Sequence, residues 1–169
     1  GILSAPDAQS RLLECLDDHS IEFVSEDYSA EPSGIKINPG QHNVTIQFCT
    51  IKNFSRGIYA AGTEDNEIQS LNLRQNRVEN SVRNDRYEGG SGFSLIYVSE
   101  SELEQNESHN NDYGFYAYQS TDLSLDFNIA KDNEQSGFLL RSSVGLHLIG
   151  NKALGNRIGF DLLVVVDAT

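Results

Sequence analysis

Hydrophobic positions in this chain recur in short alternating runs, and the runs themselves recur. Six begin with glycine followed by apolar-x-apolar: Gly34-Ile35-Lys36-Ile37, Gly57-Ile58-Tyr59-Ala60, Gly92-Phe93-Ser94-Leu95, Gly114-Phe115-Tyr116-Ala117, Gly137-Phe138-Leu139-Leu140 and Gly159-Phe160-Asp161-Leu162. The glycines stand 23, 35, 22, 23 and 22 residues apart. Alternation predicts strands, and a period in the twenties predicts a solenoid whose repeats bury their apolar faces against one another.

Further phrases keep the same register. Val44-Thr45-Ile46, Leu71-Asn72-Leu73, Ser101-Glu102-Leu103, Leu123-Ser124-Leu125 and Leu146-His147-Leu148 form a second strand per repeat. Ile51, Val78, Ser108, Ala130 and Ala153 mark the inward residue of a third. Between these two stands Cys49, Asn76, Asn106, Asn128 or Asn151, and a second asparagine (Asn53, Asn80, Asn110, Asn133 or Asn156) often precedes the next glycine. Asparagine tolerates the left-handed backbone that a tight corner needs, and stacked copies can bond amide to amide. Cys49, in the first ladder position, marks its coil as a weak or terminal member. The pattern predicts an all-β, single-stranded parallel β-helix of about six to seven coils, stacked at about 4.8 Å.

Residues 34–46, continued by Cys49-Thr50-Ile51-Lys52-Asn53-Phe54 and Gly57-Ile58, resemble the right-handed parallel β-helix repeat proteins of the pectate-lyase-like class, notably their carbohydrate-binding and sugar-hydrolysis repeats. The likeness spans roughly residues 17–165. It implies a right-handed coil, a polysaccharide or glycan partner, and a secreted, periplasmic or cell-surface location. That class holds lyases, hydrolases, epimerases, and tail-spike and adhesin segments, so the fold leaves the activity open.

Residues 1–33 are expected to form a cap and an incomplete first coil, ahead of repeats over 34–169. Ser4-Ala5-Pro6-Asp7 followed by Gln9 to Leu16, with leucines at 12, 13 and 16, predicts a short capping helix; the competing reading makes Arg11 to Glu14 a strand. Ile21-Glu22-Phe23 is the first clear strand. The run Leu162-Leu163-Val164-Val165-Val166 is too short for membrane insertion and predicts a core strand at the open end, available for end-to-end or lateral self-association. Cys15 and Cys49 make no disulfide framework and are expected as buried free thiols.

Charge narrows the partners. With 25 acidic against 12 basic residues the formal charge is −13, which disfavours nucleic acid and anionic membrane surfaces. An initial glycine and the absence of methionine suggest a processed or excised segment.

The regular coil is interrupted twice, around Gly62 to Glu67 and from Ser81 to Ser91. Insertions in solenoids become surface loops, often on the binding side. The first leaves the end of one glycine-led strand and the second enters the start of the next, which predicts a groove between them. Its floor would be the outward columns Lys36, Tyr59, Ser94, Tyr116, Leu139, Asp161 and Asn38, Ala61, Ile96, Tyr118, Arg141, Leu163. A tyrosine offers a flat apolar face and a hydroxyl, which suits a sugar ring. Candidate substrate contacts are therefore Tyr59, Ser94, Tyr116, Tyr118 and Arg141 on the floor, with Arg83, Arg86 and Tyr87 on one wall. Arg83 or Arg86 could grip a uronic acid bidentately. Glu64, Asp65 and Glu67 on the other wall are candidate calcium ligands. A further column, His42, Asp65, Glu100 and Asp122, would stack three carboxylates if Asp65 kept register.

Glycoside hydrolysis needs two opposed carboxylates, and the floor supplies only Asp161. A lyase or epimerase needs an activated base, for which Tyr59 or Lys36 is the candidate, and a cation on the uronate, for which Arg86 or calcium is. His19, His42, His109 and His147 are scattered and expected at the surface. The leading expectation is a carbohydrate-binding or cell-surface module with a sugar-contacting groove. The alternatives are a lyase or epimerase acting on a uronic-acid polymer, and a structural stalk.

Overall fold

Every coil makes the same three strands, and each strand pairs in parallel with its counterpart one coil away. A computed structural model describes residues 2–3, 11–15, 20–22, 33–81, 90–163 and 166–168. It contains parallel sheets of seven, seven and six strands. The first carries the glycine-led strands Ser33–Ile37, Arg56–Ala61, Ser91–Ile96, Tyr113–Tyr118, Ser136–Arg141 and Ile158–Leu163, in that order after Ile2–Leu3. The second runs from Arg11–Glu14 through His42–Gln47, Ile68–Arg74, Val98–Glu104, Thr121–Asp126 and Val144–Ile149 to Val166–Ala168. Three-residue strands make the third, from Ser20–Glu22 to Lys152–Leu154. The expected parallel β-helix is present.

Inside the column, like residues stack on like. Phe93, Phe115, Phe138 and Phe160 lie with ring centroids 4.7, 4.8 and 4.7 Å apart and planes within 8° of parallel. Ile35 and Ile58 continue that row below. Burying each of these side chains except Phe160, which is 44 % exposed at the end of the row, contributes about 1.5–3 kcal/mol. In the second sheet Ser101 takes the place of an inward leucine, yet it is satisfied: it donates to the Ser99 carbonyl at 2.7 Å and accepts from the Leu71 amide at 2.9 Å.

All three corners use one device. A residue at positive φ turns the chain, and the next residue, in most coils small and polar, points inward and bonds to the adjacent coil; Phe54 and Val98 are the apolar exceptions. Between the second and third sheets the turning residues are Phe48, Gln75, Gln105, Phe127 and Gly150, followed by Cys49, Asn76, Asn106, Asn128 and Asn151. Asn128 is typical. Its Oδ1 accepts from the Asn106 amide (2.9 Å) and the Asn106 Nδ2 (3.0 Å), while its Nδ2 donates to the Leu103 carbonyl (2.8 Å) and to Asn151 Oδ1 (3.1 Å). Between the third and first sheets Asn53, Asn80, Asn110, Asp132 and Gly155 turn, and Asn111, Asn133 and Asn156 form a second amide ladder. The remaining corner uses serine: Ser143 Oγ accepts from the Ser120 amide at 3.2 Å, and Ser120 Oγ from the Val98 amide at 3.2 Å.

The ladder asparagines therefore do not occupy the left-handed region themselves, contrary to the sequence reading. Burial and amide bonding select them, and the residue before each does the turning. The second asparagine column also divides: Asn53, Asn80 and Asn110 turn, whereas Asn133 and Asn156 are rungs.

The leading glycines of the first-sheet strands have a different reason. None of the six sits at positive φ. A Cβ on Gly114 would collide with the Gly137 carbonyl oxygen one coil on and press on the Ala130 side chain at 3.0 Å. Glycine is needed here for room.

Three local expectations are corrected. Arg11 to Glu14 is a strand paired with residues 44–47, so no helix occupies that stretch; the cross-coil ladder outweighs the local leucine spacing. Residues 4–10 and 16–19 lie outside the described residues. Cys15 and Cys49 are joined in a disulfide, with Cα atoms 4.9 Å apart. The two stand one above the other at the foot of the amide ladder, and the Cys49 amide still donates to Asn76 Oδ1 at 3.1 Å. The covalent bond takes the place of one rung. Finally, Leu162-Leu163 ends one strand and Val166 opens another in a different sheet, so the apolar run is not a single strand; residues 164–165 lie outside the described residues.

Two predictions follow from the coil contacts. Gly114→Ala is expected to lower the urea-unfolding free energy by about 2–3 kcal/mol through overpacking. Gly159→Ala, whose Cβ would meet only Ala153 at 3.4 Å, is expected to change it by no more than about 0.5 kcal/mol; equal costs would show that room between coils is not the constraint. A thiol titration in denaturant is expected to find no free thiol before reduction and both cysteines after. Replacing both by serine should cost about 2–4 kcal/mol.

Candidate functional site

Which residues of the first sheet face outward follows from the strand register. Lys36, Tyr59, Ser94, Tyr116, Leu139 and Asp161 align as one column, and Ala61, Ile96, Tyr118, Arg141 and Leu163 as a second. A third column, missed in the sequence, contains Arg56, Ser91 and Tyr113. Strict alternation would point these residues inward. The glycine that follows each already faces the core, so the alternation slips by one; Arg56 and Tyr113 turn out, while Ser91 between them stays buried.

The floor is not one continuous shelf. Ser94 is 2 % exposed and Leu139 3 %, so neither offers a ligand its side chain. Two patches remain. At the lower one, Tyr59 lies beneath the Arg56 guanidinium, 4.5 Å from its ring centroid, with Lys36 Nζ at 5.9 Å. Lys36 is exposed and Tyr59 half-buried.

The upper patch is built on the strand Tyr113–Tyr118, which presents three half-buried tyrosines. Tyr113 and Tyr116 pack with centroids 6.4 Å apart, and Tyr97 meets Tyr118 edge-on, also at 6.4 Å. Tyr97 turns the corner beyond the first sheet at φ 49°. Arg141 stands one coil above Tyr118, exposed, and no carboxylate among the described residues pairs with it. Tyr97 and Tyr113 carry no distinctive spacing; only their place beside the glycine-led strand could have flagged them.

The first insertion borders this upper patch. Its Thr63 and Asn66 close a two-residue turn, and its return is anchored by the Ile68 amide donating to the Tyr97 carbonyl at 3.0 Å. Glu64 and Asp65 are exposed at the tip of that turn, with Glu67 half-buried behind. Among the described residues no three acidic, histidine or cysteine side chains come together to hold a metal, so Glu64, Asp65 and Glu67 do not form the expected calcium set. The condition for a three-carboxylate column is not met. The turn lifts Asp65 out of register, and the bulged residues at positive φ in the second sheet are Asn43, Ser70, Glu100, Asp122 and Gly145. Only Glu100 and Asp122 are neighbours there, and His42 lies beside the column. Arg83, Arg86 and Tyr87, the proposed second wall, lie outside the described residues.

The faces differ in charge. Lys36, Arg56 and Arg141 stand on the first sheet against Asp161, whereas the second sheet and its bulge carry Glu14, Glu100, Glu102, Glu104, Asp122, Asp126 and Asp167 against Arg11 and Arg74. In the middle of the third sheet charges pair, with Lys52 3.3 Å from Glu79 and Arg77 3.4 Å from Glu107. Burial opposes ionisation of Glu79, but Arg77 and Lys52 outweigh it and hold the carboxyl below its ordinary range. Burial, aided by Arg77, lowers the pKa of His109 on the same face.

No curated protein matches the chain closely enough to lend it an activity. The family described as the right-handed beta helix region matches residues 28–164, which covers both tyrosine patches and well over half of the sequence. The chain belongs to the right-handed β-helix family.

Proposed function

We propose that this protein is a carbohydrate-binding β-helix module whose ligand lies across the upper patch, on Tyr116 and Tyr118, with an acidic group against Arg141. The observation that carries the reading is the strand Tyr113–Tyr118, with its tyrosines braced by one another and by Tyr97. Braced rings lose little freedom on binding, and each offers a sugar an apolar face with a hydroxyl at its rim. Lys36, Arg56 and Arg141 give this face a positive bias within a chain of net charge −13, which favours an anionic glycan. The Cys15–Cys49 bridge supports an oxidising compartment, and with it a secreted, periplasmic or cell-surface setting.

The test is a glycan array followed by titration of the best ligand. Tyr116→Ala with Tyr118→Ala is expected to weaken binding at least about tenfold, equivalent to about 1.4 kcal/mol. Arg141→Gln is expected to weaken acidic glycans only and to flatten their salt dependence. Undiminished binding by these variants would remove the site from this patch. Release of unsaturated ends from a uronan panel, with or without calcium, would show a lyase instead.

A further inference from the structure

Away from the tyrosine face, the corner between the second and third sheets holds a feature that the proposed function does not use. A trough of about 650 Å³ runs along it over three coils, between Gln75, Gln105 and Phe127 on one side and Arg77, Glu107 and Ile129 on the other. It is open to solvent along its length.

Phe127 is the unusual member. It is 55 % exposed, and it turns the corner at φ 55°. A bulky side chain in the left-handed region is an outlier that the surroundings must hold in place. One coil on, Gly150 occupies the same corner position at φ 64° without that strain. Its missing side chain leaves the space that the Phe127 ring fills, because a Cβ on Gly150 would strike the ring. The Phe127 amide is pinned to the Ile149 carbonyl at 2.8 Å. The chain thus keeps a propped, solvent-facing aromatic platform where glycine would turn the corner more easily.

The rest of the trough is polar but electrically balanced. Gln75 and Gln105 turn the corner in the two preceding coils, and their exposed side-chain amides have no partner among the described residues. Opposite them, Arg77 is occupied by Glu79 and by Glu107 at 3.4 Å. The free amides repeat at the coil rise, so the three levels span roughly 10 Å.

From this arrangement we infer that the trough is a second ligand site, and that it takes an uncharged oligosaccharide laid along the solenoid axis. One ring stacks on Phe127, and the hydroxyls of the next bond to Gln105 and Gln75. Neither a cation nor an anion is matched, because the only charges lining the trough already neutralise each other. The site is independent of the tyrosine face and can stand or fall without it.

The chain has no tryptophan, so Phe127→Trp places a single indole reporter on the platform. Its fluorescence is followed while neutral gluco-, manno- and xylo-configured tetrasaccharides are added. A saturable change is expected for at least one of them. Adding Gln75→Ala and Gln105→Ala should weaken that binding by about tenfold through the lost hydrogen bonds, whereas Tyr116→Ala with Tyr118→Ala should leave it intact. Phe127→Gly, followed by nuclear magnetic resonance with the same sugars, should abolish binding while leaving the melting temperature unchanged or raised. No saturable response in the folded reporter variant would overturn the inference. So would loss of binding in the tyrosine variant, or a lowered melting temperature in Phe127→Gly, which would give the ring a packing role instead.

Discussion

The structure depends on coils lying one strand spacing apart at every corner. A solenoid has no central ball of side chains, so each coil must be tied to the next where it turns as well as along its strands. The corner rungs do this. A buried asparagine such as Asn128 accepts two hydrogen bonds from the coil before and donates back to that coil's carbonyl and onward to the next rung. Losing the side chain would orphan buried groups in a neighbouring coil, at about 1–3 kcal/mol each. The phenylalanine row and the glycine column depend on the same spacing: the first needs levels close enough for ring contact, and the second is its steric consequence. At the foot of one ladder Cys15 and Cys49 supply the link covalently.

The two proposed sites are products of that frame. Residues about two dozen positions apart become neighbours on one face, so positions such as Tyr118 and Arg141 stand at adjacent levels without any loop bringing them together. Each coil adds one residue to every outward column, and function is written by what replaces the neutral default. Tyrosine is concentrated on the first sheet and acid on the second, while on the third Lys52 and Arg77 pair with Glu79 and Glu107. At the corner opposite the first sheet, Phe127, like Phe48 lower down, stands in a row that glutamine or glycine fills in the other coils.

The coil was legible in the sequence because the glycines and the inward apolar residues have narrow steric requirements and a regular spacing. Their register correctly aligns Tyr59, Ser94 and Tyr116, and Ile96, Tyr118 and Arg141. What escaped depended on features that spacing alone does not carry. Cys15 lies ahead of the first recognisable repeat, so its place beneath Cys49 was hidden. Leucines at 12 and 13 suit a helix as well as a strand until the 44–47 partner is known. Arg56 and Tyr113 face outward only because the following glycine shifts the alternation. The burial of Ser94 and Leu139 depends on what surrounds them, which no single column reveals. Asn76 and Asn80 look alike in sequence, yet one is a buried rung and the other an exposed turn.

The central claim is the register of the coils, and ring-to-ring contacts in solution test it most directly. Nuclear Overhauser spectra on selectively labelled phenylalanine should connect Phe93 with Phe115, Phe115 with Phe138, and Phe138 with Phe160. Phe93 and Phe138, two levels apart, should show no contact. Missing neighbour contacts, or contacts between rings at any other separation, would contradict the stacked coil and the placement of both sites.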